Sequence, residues 1–388
     1  MSTLAPYWQD EQATLYHGDA LEVLKALPAA SVHCVATSPP YWNLRDYGVD
    51  GQLGREATPK EWAMGLVEVF REVRRILRSD GTLWLNVGDC YASTPPGNAP
   101  RDLSHGNPTG TRGQQPSRAA RFVARNKVVG GLKAKDLVGQ PWLLAFALRD
   151  DGWWLRQEVI WSKKNPMPMG IRDRPTTAHE QVFLLSKRSR YFYDGHAVLE
   201  STRDGGQRNL RSVWSLHTES CRSAHFATFP RKLVEPCIKA GTSQEGCCPA
   251  CGKPWLRVRE PDTGGVKGKG WHDHVRDAES GQRDSVLSGR MGEDIPEPFR
   301  LGATISWVQA CACPGENPVP CVVLDPFCGS GTTGHVARYL GRRFVGIDIK
   351  AEYLEIAKKR ITEPVRAKQP RVTEVRGQLK LFASKEPE

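Results

Sequence analysis

The chain has 388 residues, of which 39% are hydrophobic, and a formal net charge of +11. That length allows one large α/β domain with insertions, or two domains, and no apolar stretch approaches the roughly 18 residues of a membrane span. The first residues lack the basic-then-apolar layout of a signal peptide, so a cytoplasmic location is expected, and the positive balance fits either phosphate neutralisation or solvated surface.

Leu15-Tyr16-His17-Gly18-Asp19 reads as a strand end, followed by an amphipathic helix with Leu21, Leu24 and Leu27 on one face and Pro28 as its breaker. The β-branched run Val32-His33-Cys34-Val35-Ala36 is a buried strand that opens into Thr37-Ser38-Pro39-Pro40-Tyr41-Trp42. Thr58-Pro59-Lys60-Glu61 starts a helix, with Thr58 as N-cap, Pro59 at the first helical position and Glu61 closing a capping box. Trp62, Leu66, Val69, Val73, Ile76 and Leu77 form its buried stripe, and Asp80-Gly81 then turns the chain into the strand Thr82 to Val87.

From Tyr91 to Lys135 the chain is rich in Gly, Pro, Ser and Arg and lacks apolar periodicity, so it is disordered or functional. A helix spans Leu137 to Leu148 and ends at Asp151-Gly152; strands follow at Leu155 to Trp161 and Gln181 to Leu185. Between them lies Lys163-Lys164-Asn165-Pro166-Met167-Pro168, within one of two stretches dense in Lys and Arg. A second low-order stretch covers about Glu260 to Arg300. The strand Cys321-Val322-Val323-Leu324 leads into Asp325-Pro326-Phe327-Cys328-Gly329-Ser330-Gly331-Thr332-Thr333, then come a helix, the strand Arg343 to Asp348 and a helix from Glu352 to Ile361. The tail beyond Thr362 is polar and expected to be mobile.

Two loops at the carboxyl ends of parallel strands can meet across one sheet edge, where α/β proteins bind ligands. Glycines at Gly329 and Gly331 allow a tight turn and close approach of backbone to ligand, and the acid at Asp348 can accept hydrogen bonds from ribose hydroxyls. This points to an adenosine-containing cofactor. Gly334 stands where a dinucleotide pattern places its third glycine, so NAD is not excluded by pattern.

Asp325 to Thr333 resembles the first S-adenosylmethionine motif of the DNA amino-methyltransferases, and Ser38 to Trp42 resembles their catalytic motif in the cytosine-N4 spelling. Catalytic motif first and cofactor motif last is the order of the permuted β group. The resemblance implies an α/β, Rossmann-like S-adenosylmethionine-dependent methyltransferase fold with circularly permuted motif order, inserted loops and double-stranded DNA as partner. It implies cofactor contacts from Asp325, Pro326, Phe327, Gly329, Gly331, Thr332 and Asp348, with Phe327 against the cofactor and Asp348 on the ribose. Asp19 either approaches the adenine amine or caps the following helix.

The catalytic loop has a chemical logic of its own. An exocyclic amine is a poor nucleophile because its lone pair is delocalised into the ring. Acceptors at its two protons, Ser38 Oγ and the Pro39 carbonyl, would draw the lone pair back, with Pro39 and Pro40 stiffening the loop. Tyr41 offers a face for an extruded base, and Trp42 extends that wall. Serine at position 38 favours cytosine N4, leaving adenine N6 on the same scaffold as the alternative; a silent DNA-binding relative and a dehydrogenase are rivals of other kinds. Asn209 to Trp214 and the 91–135 insert suit the segment that reads DNA sequence. His225-Phe226-Ala227-Thr228-Phe229-Pro230 resembles the segment leading to the cofactor end, its Phe and Thr near the methionine moiety.

Cys247-Cys248-Pro249-Ala250-Cys251-Gly252 contains a knuckle of the zinc-ribbon kind, and Cys311-Ala312-Cys313 can close a tetrahedron around one structural zinc. The expected ligands are Cys248, Cys251, Cys311 and Cys313, with Cys247 able to replace Cys248. In a cytosolic setting the remaining thiols are free. The expected organisation is a catalytic half at 1–90, a basic insert at 91–136, core elements at 137–195 and a target-recognition segment at 196–240. A zinc-knuckle insertion at 241–320, a cofactor half at 321–365 and a tail at 366–388 complete it.

Overall fold

A computed structural model describes residues 4–93, 121–122, 128–203, 206–220, 227–259, 304–315 and 317–363. Most of the 91–135 insert, the 260–300 stretch, His225-Phe226 and the tail beyond 363 lie outside the described residues.

The core is a nine-stranded mixed sheet. Its strands are β1 (Trp8–Gln9), β2 (Ala13–His17), β3 (Val32–Thr37), β4 (Leu77–Val87), β5 (Trp154–Lys163) and β6 (His179–Ser186). β7 (Val213–Leu216) pairs with β5, while the hairpin strands β8 (Leu256–Arg259) and β9 (Thr304–Val308) stand apart from the sheet; β10 (Val322–Asp325) and β11 (Arg343–Asp348) complete the core. The spatial order is β1-β2-β11-β10-β3-β4-β6-β5-β7. From β2 to β4 all neighbours are parallel, and β6 runs antiparallel to both β4 and β5.

Parallel strands buried on both faces carry apolar side chains in near-continuous runs, sorted by the two-residue period of the pleat. Val35, Leu83, Leu85, Phe183, Leu185, Leu324 and Ile347 face one apolar layer, and Cys34, Ala36, Trp84, Val182, Leu184, Val323 and Phe344 face the other. The first layer is closed by α1 (Ala20–Ala26), α2 (Pro59–Ile76) and α3 (Gln140–Asp150). The second is closed by α4 (Arg231–Gly241), α5 (Thr332–Tyr339) and α6 (Ala351–Thr362).

The α2 start follows the expected N-cap, with Thr58 accepting from the Glu61 amide, but Glu61 reaches back one residue beyond the box and its Oε2 accepts from the Ala57 amide at 3.1 Å. Three elements differ from the sequence reading. β4 starts at Leu77, directly after α2, and runs through Asp80-Gly81 without a turn, because a register shift between Val32 and Cys34 on β3 absorbs the extra residues. α4 had no sequence forecast, since Pro236 interrupts its pattern. Val213–Leu216, within the expected recognition segment, forms an edge strand that had no sequence forecast, with Trp214 buried 6.3 Å from Trp84.

Candidate active site

Sheet order determines what the loops can do. β2, β11, β10 and β3 are adjacent and parallel, so Asp19, Asp348, the Asp325 loop and the Ser38 loop all emerge along one edge. β6 is antiparallel, so its first residues, including Glu180, start from that same edge, and β5 ends there at Lys163.

The Ser38 loop is held by more than its prolines. Trp62 Nε1 donates to the Pro40 carbonyl at 2.8 Å, and the Trp42 amide donates to Gln140 Oε1 at 2.9 Å. Trp42 itself is only 1% exposed, and its Nε1 donates to the Glu56 carbonyl at 3.0 Å. It is a core residue under the loop and does not extend a stacking wall, which corrects that expectation: the chain turns here, with the Leu44 amide donating to the Tyr41 carbonyl at 3.4 Å, so that Trp42 is directed into the core while Tyr41 stays partly exposed.

Ser38 Oγ donates to Tyr41 Oη at 3.2 Å, and Tyr41 Oη donates to Glu180 Oε2 at 3.1 Å. Asn86 Nδ2 donates to the same Glu180 oxygen at 3.1 Å, while Lys163 Nζ meets Oε1 at 2.5 Å. Burial, then the neighbouring Glu180 carboxylate, raises the Tyr41 phenol well above its usual value, so it remains a proton donor. A Cβ on Gly88 would stand 2.8 Å from Tyr41 Cε2 and 3.2 Å from Glu180 Cδ, so only glycine leaves room for this contact. Sequence reading missed Glu180, Lys163 and Asn86. The available signal was a polar residue, Asn86, interrupting the apolar run Leu83 to Val87.

The second loop is fastened from beneath. Asp325, 1% exposed, accepts from Thr37 Oγ1 at 2.6 Å, from the Phe327 amide at 3.1 Å and from Thr333 Oγ1 at 2.8 Å. Burial pushes its carboxyl up to about 6 against these hydrogen bonds. Its oxygens face protein donors and tie the two loops together. Thr332 is likewise buried, accepting from Arg360 Nη1 at 3.1 Å, and Pro326 is also buried. Gly331 sits at φ +76°, and a Cβ there would meet Ala357 Cα at 2.8 Å. Phe327 and Gly329 are the partly exposed members of the turn.

Asp348 Oδ2 accepts from the Gly329 amide at 2.8 Å and Oδ1 from the Lys350 amide at 2.9 Å. Each carboxylate oxygen retains a second lone pair, which matches the two hydroxyls of a ribose. Burial pushes Asp348 up to about 6. Asp19 is exposed and N-caps α1, its Oδ1 accepting from the Glu22 amide at 3.1 Å. Phe229, from the segment expected near the methionine moiety, lines a small cleft with Thr37, Asn86 and Leu233, next to Ser38.

The four cysteines expected to bind metal also converge, with all Sγ atoms of Cys248, Cys251, Cys311 and Cys313 within 4.8 Å of one another. Cys247 points elsewhere, toward His33 and Cys321, so it does not replace Cys248.

A doubly covered sheet, a glycine turn backed by a strand-end acid, and a rigid Ser-Pro-Pro-Tyr loop beside it define an α/β enzyme built around a nucleoside cofactor. The DNA methylase family model, of N6/N4 methyltransferases, matches residues 32–248 and 318–359. The type II methyltransferase M.Cfr9I of Citrobacter freundii is 39% identical over 349 residues, covering 90% of this chain and 87% of that protein. M.SmaI of Serratia marcescens is 37% identical over 346 residues, covering 89% of each. Among solved structures, the cytosine-N4-specific PvuII DNA methyltransferase shares the fold at a TM-score of 0.53 and 17% identity, covering 93% of this chain and 90% of that one. The chain belongs to the DNA methylase family of S-adenosylmethionine-dependent N4/N6 amino-methyltransferases. Among the described residues, no helix is long and apolar enough to cross a membrane.

Proposed function

We propose that the protein methylates the N4 amine of cytosine in double-stranded DNA, on a base flipped out of the helix against Tyr41. The carrying observation is the chain of hydroxyls from Ser38 through Tyr41 to Glu180. Because Ser38 gives its proton to Tyr41, its oxygen faces a substrate as an acceptor only. It would take one amine proton and the Pro39 carbonyl the other, localising the nitrogen lone pair. Tyr41, donating to an anionic Glu180, strengthens that acceptor by polarising the chain. The surplus proton of the methylated amine has a path along the same three oxygens. Pro39 and Pro40 hold the acceptors in place.

S-adenosylmethionine, when bound, supplies a sulfonium methyl group open to displacement by the amine. Asp348 fits its ribose hydroxyls, Phe327 and Gly329 line the turn beside it, and Asp19 extends the site toward the adenine while capping α1. Asp325, Pro326, Gly331 and Thr332 hold the turn's shape from below. The chain's catalytic and cofactor strands, β3 and β10, come from opposite ends of the sequence, which supports the circularly permuted order. The exposed 164–178 segment carries Lys164 and Arg172 at the active edge and suits phosphate contacts. The type II names of the relatives support a place in restriction–modification, in the cytoplasm.

The test is nucleoside analysis of DNA from cells expressing the protein, by digestion and mass spectrometry. N4-methylcytosine is expected, N6-methyladenine would overturn the base assignment, and no modified base with any DNA would overturn methyl transfer. Ser38→Ala should lower turnover by roughly ten- to a thousandfold, the scale of one lost transition-state hydrogen bond, with cofactor affinity retained.

A further inference from the structure

β8 and β9 pair antiparallel, from Leu256 opposite Val308 to Arg259 opposite Thr304, and bring two cysteine pairs to one end of a hairpin. The first pair lies in a tight knuckle, in which the Gly252 amide donates to the Cys248 carbonyl at 2.7 Å and Gly252 takes φ +69°. The second, Cys311-Ala312-Cys313, follows β9. Gln309 Nε2 donates to Cys311 Sγ at 3.1 Å and to the Cys313 carbonyl at 3.1 Å, fixing the turn. All four cysteines are free thiols. A tetrahedron of sulfurs about 2.3 Å from zinc has edges of about 3.8 Å, so sulfurs already within 4.8 Å need only a small closure.

Among the described residues, the hairpin is tied at its root, where the Trp255 amide donates to the Gly246 carbonyl at 3.0 Å and Cys247 pairs with Val319, but its strands bury little apolar surface. Leu256, Ile305 and Val308 are 47%, 58% and 48% exposed, and two strands this short are marginal without a core or a clamp. One cross-link to the body comes from Arg257, whose Nη2 meets the buried Asp194 at 2.8 Å. The knuckle itself docks on the amino-end edge of the sheet, opposite the active site. Arg78 Nη1 donates to the Cys251 carbonyl at 2.6 Å, and His33 Nε2 lies 2.8 Å from the Gly252 carbonyl. His33 Nδ1 accepts from the Val322 amide at 3.0 Å, so Nε2 carries the proton and donates. Both ring nitrogens are thereby occupied, which removes the neighbouring His33–Cys247–Cys321 group as a metal site.

We propose that Cys248, Cys251, Cys311 and Cys313 bind one zinc ion that clamps the hairpin and, through Arg78 and His33, fastens it to the starts of β4 and β3. Four protein thiolates complete the tetrahedron and leave no position for water, so the metal is structural. Its distance from the active edge makes this assignment independent of the methyl-transfer reading.

The test is metal analysis of the full-length protein, purified without chelator. One zinc per chain is expected, lost in Cys251→Ser and Cys313→Ser and retained in Cys247→Ser. Cobalt exchanged into the wild-type protein should show thiolate-to-metal charge transfer and tetrahedral d–d bands, and chelation should expose the hairpin to protease. The cobalt spectrum decides the matter if the serine variants fail to fold. Absence of metal with freely reactive thiols, iron in place of zinc, zinc undiminished in Cys251→Ser, or a cobalt spectrum without thiolate charge transfer would overturn the proposal.

Discussion

Replacing Glu180 by glutamine tests whether the partly buried carboxylate tunes the acceptor at Ser38. Glu180 receives hydrogen bonds from Tyr41 and Asn86 at 3.1 Å each and from Lys163 at 2.5 Å, with side-chain exposures of 17% for Glu180 and 22% for Lys163. A fully buried ion pair broken on one side costs about 3–5 kcal/mol and an exposed one below about 1 kcal/mol. At this partial burial Glu180→Ala should cost about 2 kcal/mol of stability, and Glu180→Gln, which keeps one acceptor, about 1 kcal/mol. The catalytic effect should be larger than the stability effect. Losing the anion at the end of the Ser38–Tyr41 chain should slow turnover by roughly ten- to a hundredfold, one to two decades at about 1.4 kcal/mol each. Single-turnover methylation with labelled S-adenosylmethionine reads the rate, and calorimetry reads cofactor affinity, which should stay within about twofold. Tyr41→Phe removes the same link, so the double variant Tyr41→Phe with Glu180→Gln should be little slower than the worse single variant. Full additivity of the two substitutions, or wild-type turnover in Glu180→Gln, would refute the coupling.

Asp348→Ala should weaken S-adenosylmethionine binding by roughly 1.5–3 kcal/mol, the range for a hydrogen bond to a charged group; unchanged affinity by calorimetry would remove Asp348 from the site. With its carboxyl pushed up to about 6, Asp348 is ionised above that pH and protonated below it, so the dissociation constant should rise as pH falls through this value and be flat above it. Asp348→Asn should erase that dependence, and a flat wild-type profile down to about pH 5 would contradict it. Trp42→Ala should destabilise the protein by about 3–5 kcal/mol in thermal or denaturant unfolding, as expected of a core indole. A loss below about 1 kcal/mol would mean Trp42 is a surface wall after all.

Much of the sheet was legible in the chain because buried parallel strands favour short runs rich in apolar and β-branched residues, as in Val32-His33-Cys34-Val35-Ala36 of β3, Val322-Val323-Leu324 of β10 and Phe344-Val345-Gly346-Ile347 of β11. α2 was legible from Thr58, Pro59 and Glu61, since a cap is a contact among near neighbours. The loops after β3 and β10 were legible for the same reason: proline and glycine act on their own backbone. The paired cysteine spacings likewise carried the knuckle. Other features were set by which strands became neighbours. Thr37 reaches Asp325 because β3 lies beside β10, and Tyr41 reaches Glu180 because β6 enters antiparallel and starts at the active edge. Tyr41 and Trp42, or Cys247 and Cys248, are adjacent in sequence and differ only in which side of the backbone meets the core. The edge strand β7 and the proline-interrupted α4 are too short or too irregular for a periodic signal, and they exist because the packed sheet offered them a surface to cover. Local chemistry therefore wrote the elements and the reactive loops into the sequence, whereas the polar contacts joining them arose from sheet order, which no window of neighbouring residues encodes.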